Sequence, residues 1–153
     1  MLIEATASDF AALIAGRGPN NLRLAAEIAP PPVLEMLAEL AAAIGESFAP
    51  SAWLIVEDQT IVGLLSLIRA PEGSDIKIGY GVAPASQRRG VATRAVADLL
   101  RWAETDPRVA TVVAETAVDN FASQRVLTAN GFARSGGRID PEDGPVISWR
   151  REV

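Results

Sequence analysis

The segment of the chain best suited to chemistry is a short loop with the residue types that bind a phosphate. It contains, in order, Gln87, Arg88, Arg89, Gly90, Val91, Ala92 and Thr93. The glycine lets the main chain approach a ligand closely, and the small alanine leaves the first turn of a following helix uncrowded. Free N–H groups at such a helix N-terminus favour a phosphate, and the arginines and the threonine add charge and a hydroxyl donor. A plain strand–turn–helix with solvated arginines has the same composition, so both interpretations stay open at this point.

Two better-known phosphate loops do not fit this segment. A P-loop requires a Gly-Lys pair before Ser or Thr, and the chain has no such pair. The dinucleotide fingerprint requires three spaced glycines, but Gly79-Tyr-Gly81 is followed by Val-Ala-Pro84 and the third glycine is not in place.

The composition excludes several kinds of chemistry. The chain has no cysteine and no histidine, so we expect no thiol nucleophile, no disulfide and no metal site. A net charge of −5 disfavours general nucleic-acid binding and slightly favours a cationic substrate. No apolar run is long enough to span a membrane, and the N-terminus does not resemble a secretory signal, so we expect a cytoplasmic protein.

The elements that position the loop can be read from hydrophobic periodicity, and a length of 153 residues predicts a single domain over 1–153. The expected helices are one capped by Ser8 or Asp9 and ending near Ile14, one from Pro32 to Ile44, one from Gly90 to Glu104 and one from Phe121 to Asn130. The expected strands are Leu2–Ala5, Ala52–Val56, Ile61–Ile68, Asp75–Val82, Val109–Thr116, Phe132–Ser135 and Val146–Arg150, with a loop from Gly136 to Gly144. This order predicts a mixed α/β sheet with helices on both faces.

Two segments in this order resemble a known family. Gln87-Arg-Arg-Gly-Val-Ala92 is similar to the Gln/Arg-x-x-Gly-x-Gly/Ala loop of the GNAT superfamily of N-acetyltransferases. Asn120-Phe-Ala-Ser-Gln-Arg-Val-Leu-Thr-Ala-Asn-Gly-Phe132 resembles the second GNAT signature, which begins Asn-x-x-Ser/Ala and ends in Gly-Phe. Each motif is weak alone, but the two in this order and at this spacing are specific.

The resemblance implies a fold and a cofactor. The fold is a mostly antiparallel central sheet flanked by helices and splayed between the fourth and fifth expected strands, which end near Val82 and Thr116. The main-chain N–H groups from Arg88 to Thr93 would hold the pyrophosphate of acetyl-CoA, and the strand end at Val82 would pair with the pantetheine arm. Asn120 would hydrogen-bond the cofactor, cap its own helix, or do both.

The resemblance is less complete at the catalytic positions. Many GNAT enzymes carry a Tyr that protonates the leaving CoA thiolate at the position where this chain has Leu127. Many also carry a Glu, a candidate base, at the position where it has Lys77. The pattern Asn-x-x-Ser-x-x-Val-Leu is similar to the branch of ribosomal-protein N-terminal acetyltransferases, which implies Ser123 as the acid; local bonding of Ser123 to the main chain is the alternative. Glu115 is the expected base, with a solvated strand residue as the alternative interpretation, and Asp75 and Glu57 are weaker candidates for the base. Tyr80, the only tyrosine, is expected to pack in its strand.

We therefore predict an N-acetyltransferase that passes an acetyl group from acetyl-CoA directly to a primary amine, either a small molecule or a peptide N-terminus. The acceptor region has no motif, and the state of assembly, monomer or homodimer, is open. A non-catalytic acyl-CoA-binding module is the alternative. A third class, acetylation of charged tRNA, is disfavoured by the acidic charge.

Overall fold

The computed structural model describes all residues, 1–153. The helices are α1 (Ala7–Ile14), α2 (Pro31–Gly45), α3 (Val91–Thr105) and α4 (Phe121–Ala129). The strands are β1 (Leu2–Glu4), β2 (Arg23–Leu24), β3 (Ala52–Glu57), β4 (Thr60–Leu67), β5 (Asp75–Val82), β6 (Thr111–Ala117), β7 (Ala133–Asp140) and β8 (Gly144–Glu152). None of the helices is long and apolar enough to cross a membrane.

All eight strands belong to one sheet with the order β1-β3-β4-β5-β6-β8-β7, and the short β2 pairs with the beginning of β4. Neighbouring strands along this order are antiparallel except β5 and β6, which are parallel. The turn between β3 and β4 places Asp58 and Gln59 at positive φ, which gives the local twist that a tight hairpin needs. The mixed, mostly antiparallel sheet flanked by helices confirms the predicted fold class.

The helices cover both faces of the sheet and bury two separate apolar cores. The larger core lies under α3 and α4, where Val96, Leu99 and Leu127 meet apolar residues of the central strands. α3 places these side chains there because its apolar residues recur at helical spacing. The smaller core lies on the opposite face, where α1 and α2 contribute Phe10 and Leu34. α3 and α4 therefore cover the parallel pair β5–β6 on the same face of the sheet.

Three details of the predicted elements were wrong. α1 is capped by Thr6, and Asp9 completes the cap from the third helical position: Thr6 Oγ1 accepts from Asp9 N at 3.1 Å and Asp9 Oδ2 accepts from Thr6 N at 2.9 Å. β2 was not predicted because two residues carry no periodic signal. The segment expected to be a loop from Gly136 to Gly144 is mostly strand, because the pairing of β7 with β8 continues from Ala133 to Asp140.

Candidate functional site

The site begins where β5 and β6 part. Their parallel pairing runs only from Asp75–Thr111 to Ile78–Ala114, and the last residues of both strands have no partner across the gap. β5 stays paired with β4 on its other side: Ile68 N donates to Lys77 O at 3.0 Å and Ala83 N to Val62 O at 2.7 Å. Because hydrogen-bonding direction alternates along an antiparallel strand, the N–H groups of Tyr80 and Val82 point into the gap. The sheet therefore offers an unpaired edge there.

The turn after β5 leads into the N-terminus of α3. Gly90 is the N-cap residue and has a φ of 74°, a left-handed conformation that favours glycine. The main-chain N–H groups of residues 88–93 donate no hydrogen bond to any atom of the chain. The first turn of a helix normally leaves such groups for a ligand or water, and they carry the positive end of the helix dipole. These six consecutive free donors are the main feature of an anion site.

Two side chains hold this loop in place. Gln87 Nε2 donates to Val82 O at 3.0 Å and so closes the turn between β5 and the loop. Arg94 Nη1 donates to Arg89 O at 2.9 Å, while Arg94 Nη2 contacts Glu57 Oε1 at 2.7 Å. Arg94 therefore ties the loop to the end of β3. Its Nη1 also lies 3.0 Å from the place where a Cβ on Gly90 would be.

The loop, the edge of β5 and α4 enclose one cleft of about 650 Å³. Its walls contain both segments that were identified in the sequence. The lining residues that sequence reasoning had selected are Val82, Gln87, Arg88, Gly90, Val91, Ala92, Thr93, Asn120 and Ser123. Arg89 is the one member of the loop that does not line it. No Asp or Glu lines the cleft, and Arg88 and Arg125 are the charged residues that do.

The first turn of α4 forms the wall facing β5. Asn120 is the N-cap residue, and its Oδ1 accepts from Ser123 N at 3.2 Å. Asn120 therefore caps the helix, which leaves its amide Nδ2 free to act as a donor. The Ser123 hydroxyl makes no hydrogen bond to the main chain, so the bond that the alternative interpretation required is not formed. Ser123 O instead accepts a long hydrogen bond of 3.4 Å from the Tyr80 hydroxyl.

Glu115 lies on β6 just beyond the last pair with β5, and it does not line the cleft. Its Oε1 lies 2.6 Å from Lys77 Nζ, and its Oε2 lies 2.7 Å from Arg138 Nε. The hydrogen bonds from Arg138, with those from Lys77, lower the pKa of Glu115 to about 2. Arg138 also contacts Asp140 Oδ2 at 3.0 Å. The carboxylate is thus ionised at neutral pH and is held by one cation from the adjacent β5 and one from β7, which lies beyond β8.

The arrangement so far is a phosphate-binding loop beside an open sheet edge. Comparison with known protein families gives a match to the acetyltransferase (GNAT) domain over residues 1–133. The chain belongs to the GNAT acetyltransferase family. The resemblance that the two sequence segments implied is therefore confirmed. A comparison with curated protein sequences found no match.

Solved structures with the same fold include several acetyltransferases. The ribosomal alpha-N-protein acetyltransferase RimL in complex with coenzyme A is 18% identical, with a TM-score of 0.76 over 99% of this chain and 93% of that one. The microcin self-immunity acetyltransferase MccE, in complex with acetyl-CoA and AMP, is 15% identical, with a TM-score of 0.74 over 99% and 91%. A mutant of the spermidine N-acetyltransferase SpeG from Vibrio cholerae is 17% identical, with a TM-score of 0.73 over 99% and 94%.

The GNAT cleft also contains residues that the sequence analysis did not select. Ala122, Arg125, Val126 and Ala129 of α4 line it, as does Tyr80 of β5. The α4 residues recur three and four positions apart, so their spacing marks one face of a helix and could have identified them. Leu127, at the position where many GNAT enzymes carry Tyr, is fully buried in the larger core and faces away from the cleft. No group of three or more acidic side chains is arranged to hold a metal ion.

Proposed function

We propose that this GNAT protein is an acetyl-CoA-dependent N-acetyltransferase that transfers the acetyl group directly to a primary amine, and that residues 1–153 act as one domain. One observation carries the proposal: the cleft of about 650 Å³ lies between the loop with six free main-chain donors, of whose residues all but Arg89 line it, and the unpaired edge of β5. The first feature suits the pyrophosphate of coenzyme A, and the second suits its amide-containing pantetheine arm. RimL and MccE, which share the fold, contain coenzyme A and acetyl-CoA in their structures.

The residues around the cleft have a chemistry that fits this cofactor. The N–H groups of residues 88–93 would hold the pyrophosphate, and the Arg88 side chain would add charge beside it. Arg125 on the opposite wall is a second cation for a phosphate. Pantetheine would extend along β5, where the N–H groups of Tyr80 and Val82 have no partner on β6 and could donate to its carbonyl oxygens. The Asn120 amide is a further donor at the edge of this path.

The reaction we propose has one chemical step on the thioester. The amine nitrogen attacks the carbonyl carbon, whose oxygen accepts a hydrogen bond from the main-chain N–H at the strand end near Val82. The carbon–sulfur bond then breaks, and coenzyme A leaves as its thiol. Ser123, which lines the cleft, would be a hydrogen-bond donor for the sulfur. No acyl-enzyme forms, because the chain has neither a cysteine nor a Ser–His pair.

The choice of amine follows from how much help its deprotonation needs. A lysine-type amine with a pKa near 10.4 costs about 4–5 kcal/mol to deprotonate at pH 7, whereas an α-amine near 7.8 costs about 1 kcal/mol. Glu115, our predicted base, has a low pKa and is held by Lys77 and Arg138, so it would accept a proton only weakly. A site with so weak a base favours an α-amine or another amine of low pKa. The RimL enzyme acts on a ribosomal protein α-amine.

Thiol release from acetyl-CoA tests the proposal. The panel of acceptors is peptide N-termini, a polyamine, an aminoglycoside and a peptide whose only amine is a lysine side chain. We expect turnover that is fastest with peptide N-termini. Gly90→Glu should abolish it by filling the phosphate site, whereas Gly16→Glu should not, because Gly16 also has a positive φ but lies in open space. Efficient acetylation of the lysine side chain without that of N-termini would refute the choice of amine.

A non-catalytic acyl-CoA-binding module is the second candidate. It is favoured by the burial of Leu127 in place of the usual tyrosine and by the two cations that hold Glu115. This module would bind acetyl-CoA in calorimetry, lose binding in Gly90→Glu, and release no thiol with any amine of the panel.

A further inference from the structure

Tyr80 is the only tyrosine in the chain, and it is one of the residues that line the cleft. Its ring packs against the larger core, as expected from the sequence. Its hydroxyl extends across the cleft to α4 and donates to Ser123 O. At 3.4 Å this is a long and weak hydrogen bond, so the proton can be given to a better acceptor at little cost. The phenol and the Ser123 hydroxyl are therefore neighbours on facing walls.

The cleft has few groups that can donate a proton. Its hydroxyls belong to Tyr80, Ser86, Thr93 and Ser123, and its only other ionisable side chains are Arg88 and Arg125. Ser86 and Thr93 belong to the loop that forms the anion site. Tyr80 lies on β5 and Ser123 lies in the first turn of α4. Both line the cleft beside the strand edge that we propose holds the thioester. Tyr80 and Ser123 are therefore the two side chains placed to give a proton to the sulfur.

Acidity decides between the two hydroxyls. A thiol titrates near pH 8.5 and a phenol near pH 10, whereas an aliphatic hydroxyl such as that of Ser123 is a far weaker acid. The phenol is thus much closer in acidity to the group that it must protonate. Burial raises the pKa of Tyr80, so its hydroxyl holds its proton at neutral pH and is a somewhat weaker acid than a free phenol.

We propose that Tyr80 is the general acid of the transfer, donating its hydroxyl proton to the sulfur of coenzyme A, while Ser123 only hydrogen-bonds that sulfur. This assignment rests on the proposed acetyltransferase function. The amine nitrogen forms a bond to the carbonyl carbon, the carbon–sulfur bond breaks, and the electron pair on sulfur takes the Tyr80 proton. The ammonium proton leaves to solvent water, and the phenolate regains a proton from solvent. The strand thus supplies the phenol that α4 lacks at Leu127.

The first experiment compares Tyr80→Phe and Ser123→Ala with the wild type under saturating acceptor. Tyr80→Phe keeps the ring in the core and should lower kcat about 100-fold while the Kd for acetyl-CoA stays unchanged. Ser123→Ala should lower kcat by much less. If the wild type turns over and Tyr80→Phe has the same kcat, the role of Tyr80 as the acid is refuted and the proposed function still stands. Absence of wild-type turnover with every amine would overturn the proposed function as well.

The second experiment keeps the hydroxyl and changes its acidity. Because the chain has one tyrosine, growth on ring-fluorinated tyrosine alters Tyr80 alone, and fluorine lowers the pKa of its phenol. The ultraviolet absorbance of the phenolate gives that pKa directly, since the tryptophans do not titrate. We expect the fall of kcat at alkaline pH to move down by the same interval, because the phenol must carry its proton to act as the acid. An alkaline limb that stays in place would show that Tyr80 has only a packing role.

Discussion

Lys77 Nζ and Glu115 Oε1 lie 2.6 Å apart, at the point where β5 and β6 stop pairing. The two side chains are 13% and 16% exposed, so the ion pair is shielded from bulk water. Arg138 Nε, from β7, lies 2.7 Å from the other carboxylate oxygen, Glu115 Oε2. Ion pairs thus join β5, β6 and β7 beside the open end of the gap.

This ion pair predicts how stability responds to acid. The pKa of Glu115 is about 2 in the folded chain, against a usual value of 4.5. A carboxyl with a lowered pKa stabilises the fold fully above its unfolded pKa, and that contribution is lost as pH falls towards about 2. Urea unfolding from pH 7 to pH 2 should therefore show a shallower loss of stability in Glu115→Gln than in the wild type. Glu35→Gln, an exposed change, should leave the profile as it is; equal slopes for Glu115→Gln would contradict the ion pair.

Gly90 should be required for cofactor affinity beyond its effect on stability. Alanine at its φ of 74° costs about 1 kcal/mol of strain, and its Cβ would lie 3.0 Å from Arg94 Nη1. Gly16→Ala meets the same strain, at a φ of 78°, with no atom within 4 Å. Both variants should lose about the same free energy of unfolding, and only Gly90→Ala should bind acetyl-CoA more weakly in calorimetry. Equal affinities would place the loop outside the binding site.

Arg94 should act on affinity through the loop that it holds. Arg94→Gln removes the bonds to Arg89 O and Glu57, and Glu57→Gln removes the ion pair only. Since the pair is partly exposed, each change should cost about 0.5–1 kcal/mol of binding, or about two- to fivefold in Kd. Arg101→Gln is the matched control, because Arg101 forms an ion pair with Asp98 on the same helix. A control that weakens binding equally would argue against the tether.

Asn120 should have two roles that separate on substitution. Asn120→Ala removes the cap of α4 and should lower the free energy of unfolding by about 1 kcal/mol. Asn120→Ser keeps a capping oxygen but loses the amide donor, so its stability should be close to that of the wild type. Both variants should bind acetyl-CoA more weakly. If Asn120→Ser binds as well as the wild type, the residue caps the helix and does nothing else.

The parts of the site that could be predicted are those set by local sequence. Gly90 and Asn120 mark the beginnings of helices through their own conformational and capping preferences. The strand Asp75–Val82 could be predicted with its observed limits because apolar side chains alternate along it. The two motifs that contain these residues, in their order along the chain, were also enough to predict the family. They depend on neighbours within a few residues, which a sequence displays directly.

The parts that could not be predicted depend on distant residues. The partner of Glu115 is 38 residues away, and its choice depends on the register of a parallel pair. Tyr80 reaches Ser123 over 43 residues, across a gap that exists only because β6 turns away from β5. β7 extends through Gly136 and Gly137, which read as loop residues, because β8 supplies the hydrogen bonds that their own propensity does not favour.

The free N–H groups of residues 88–93 have an evolutionary consequence. A ligand bound by main-chain donors is bound by atoms that every residue except proline possesses, so most substitutions there leave the donors in place. Selection then acts on the path of the loop, through Gly90 and Arg94, more than on the identity of each residue. Ancestral sequences could diverge widely while binding persisted. The donors that the loop offers to an anion would thus stay the same while the side chains around them change.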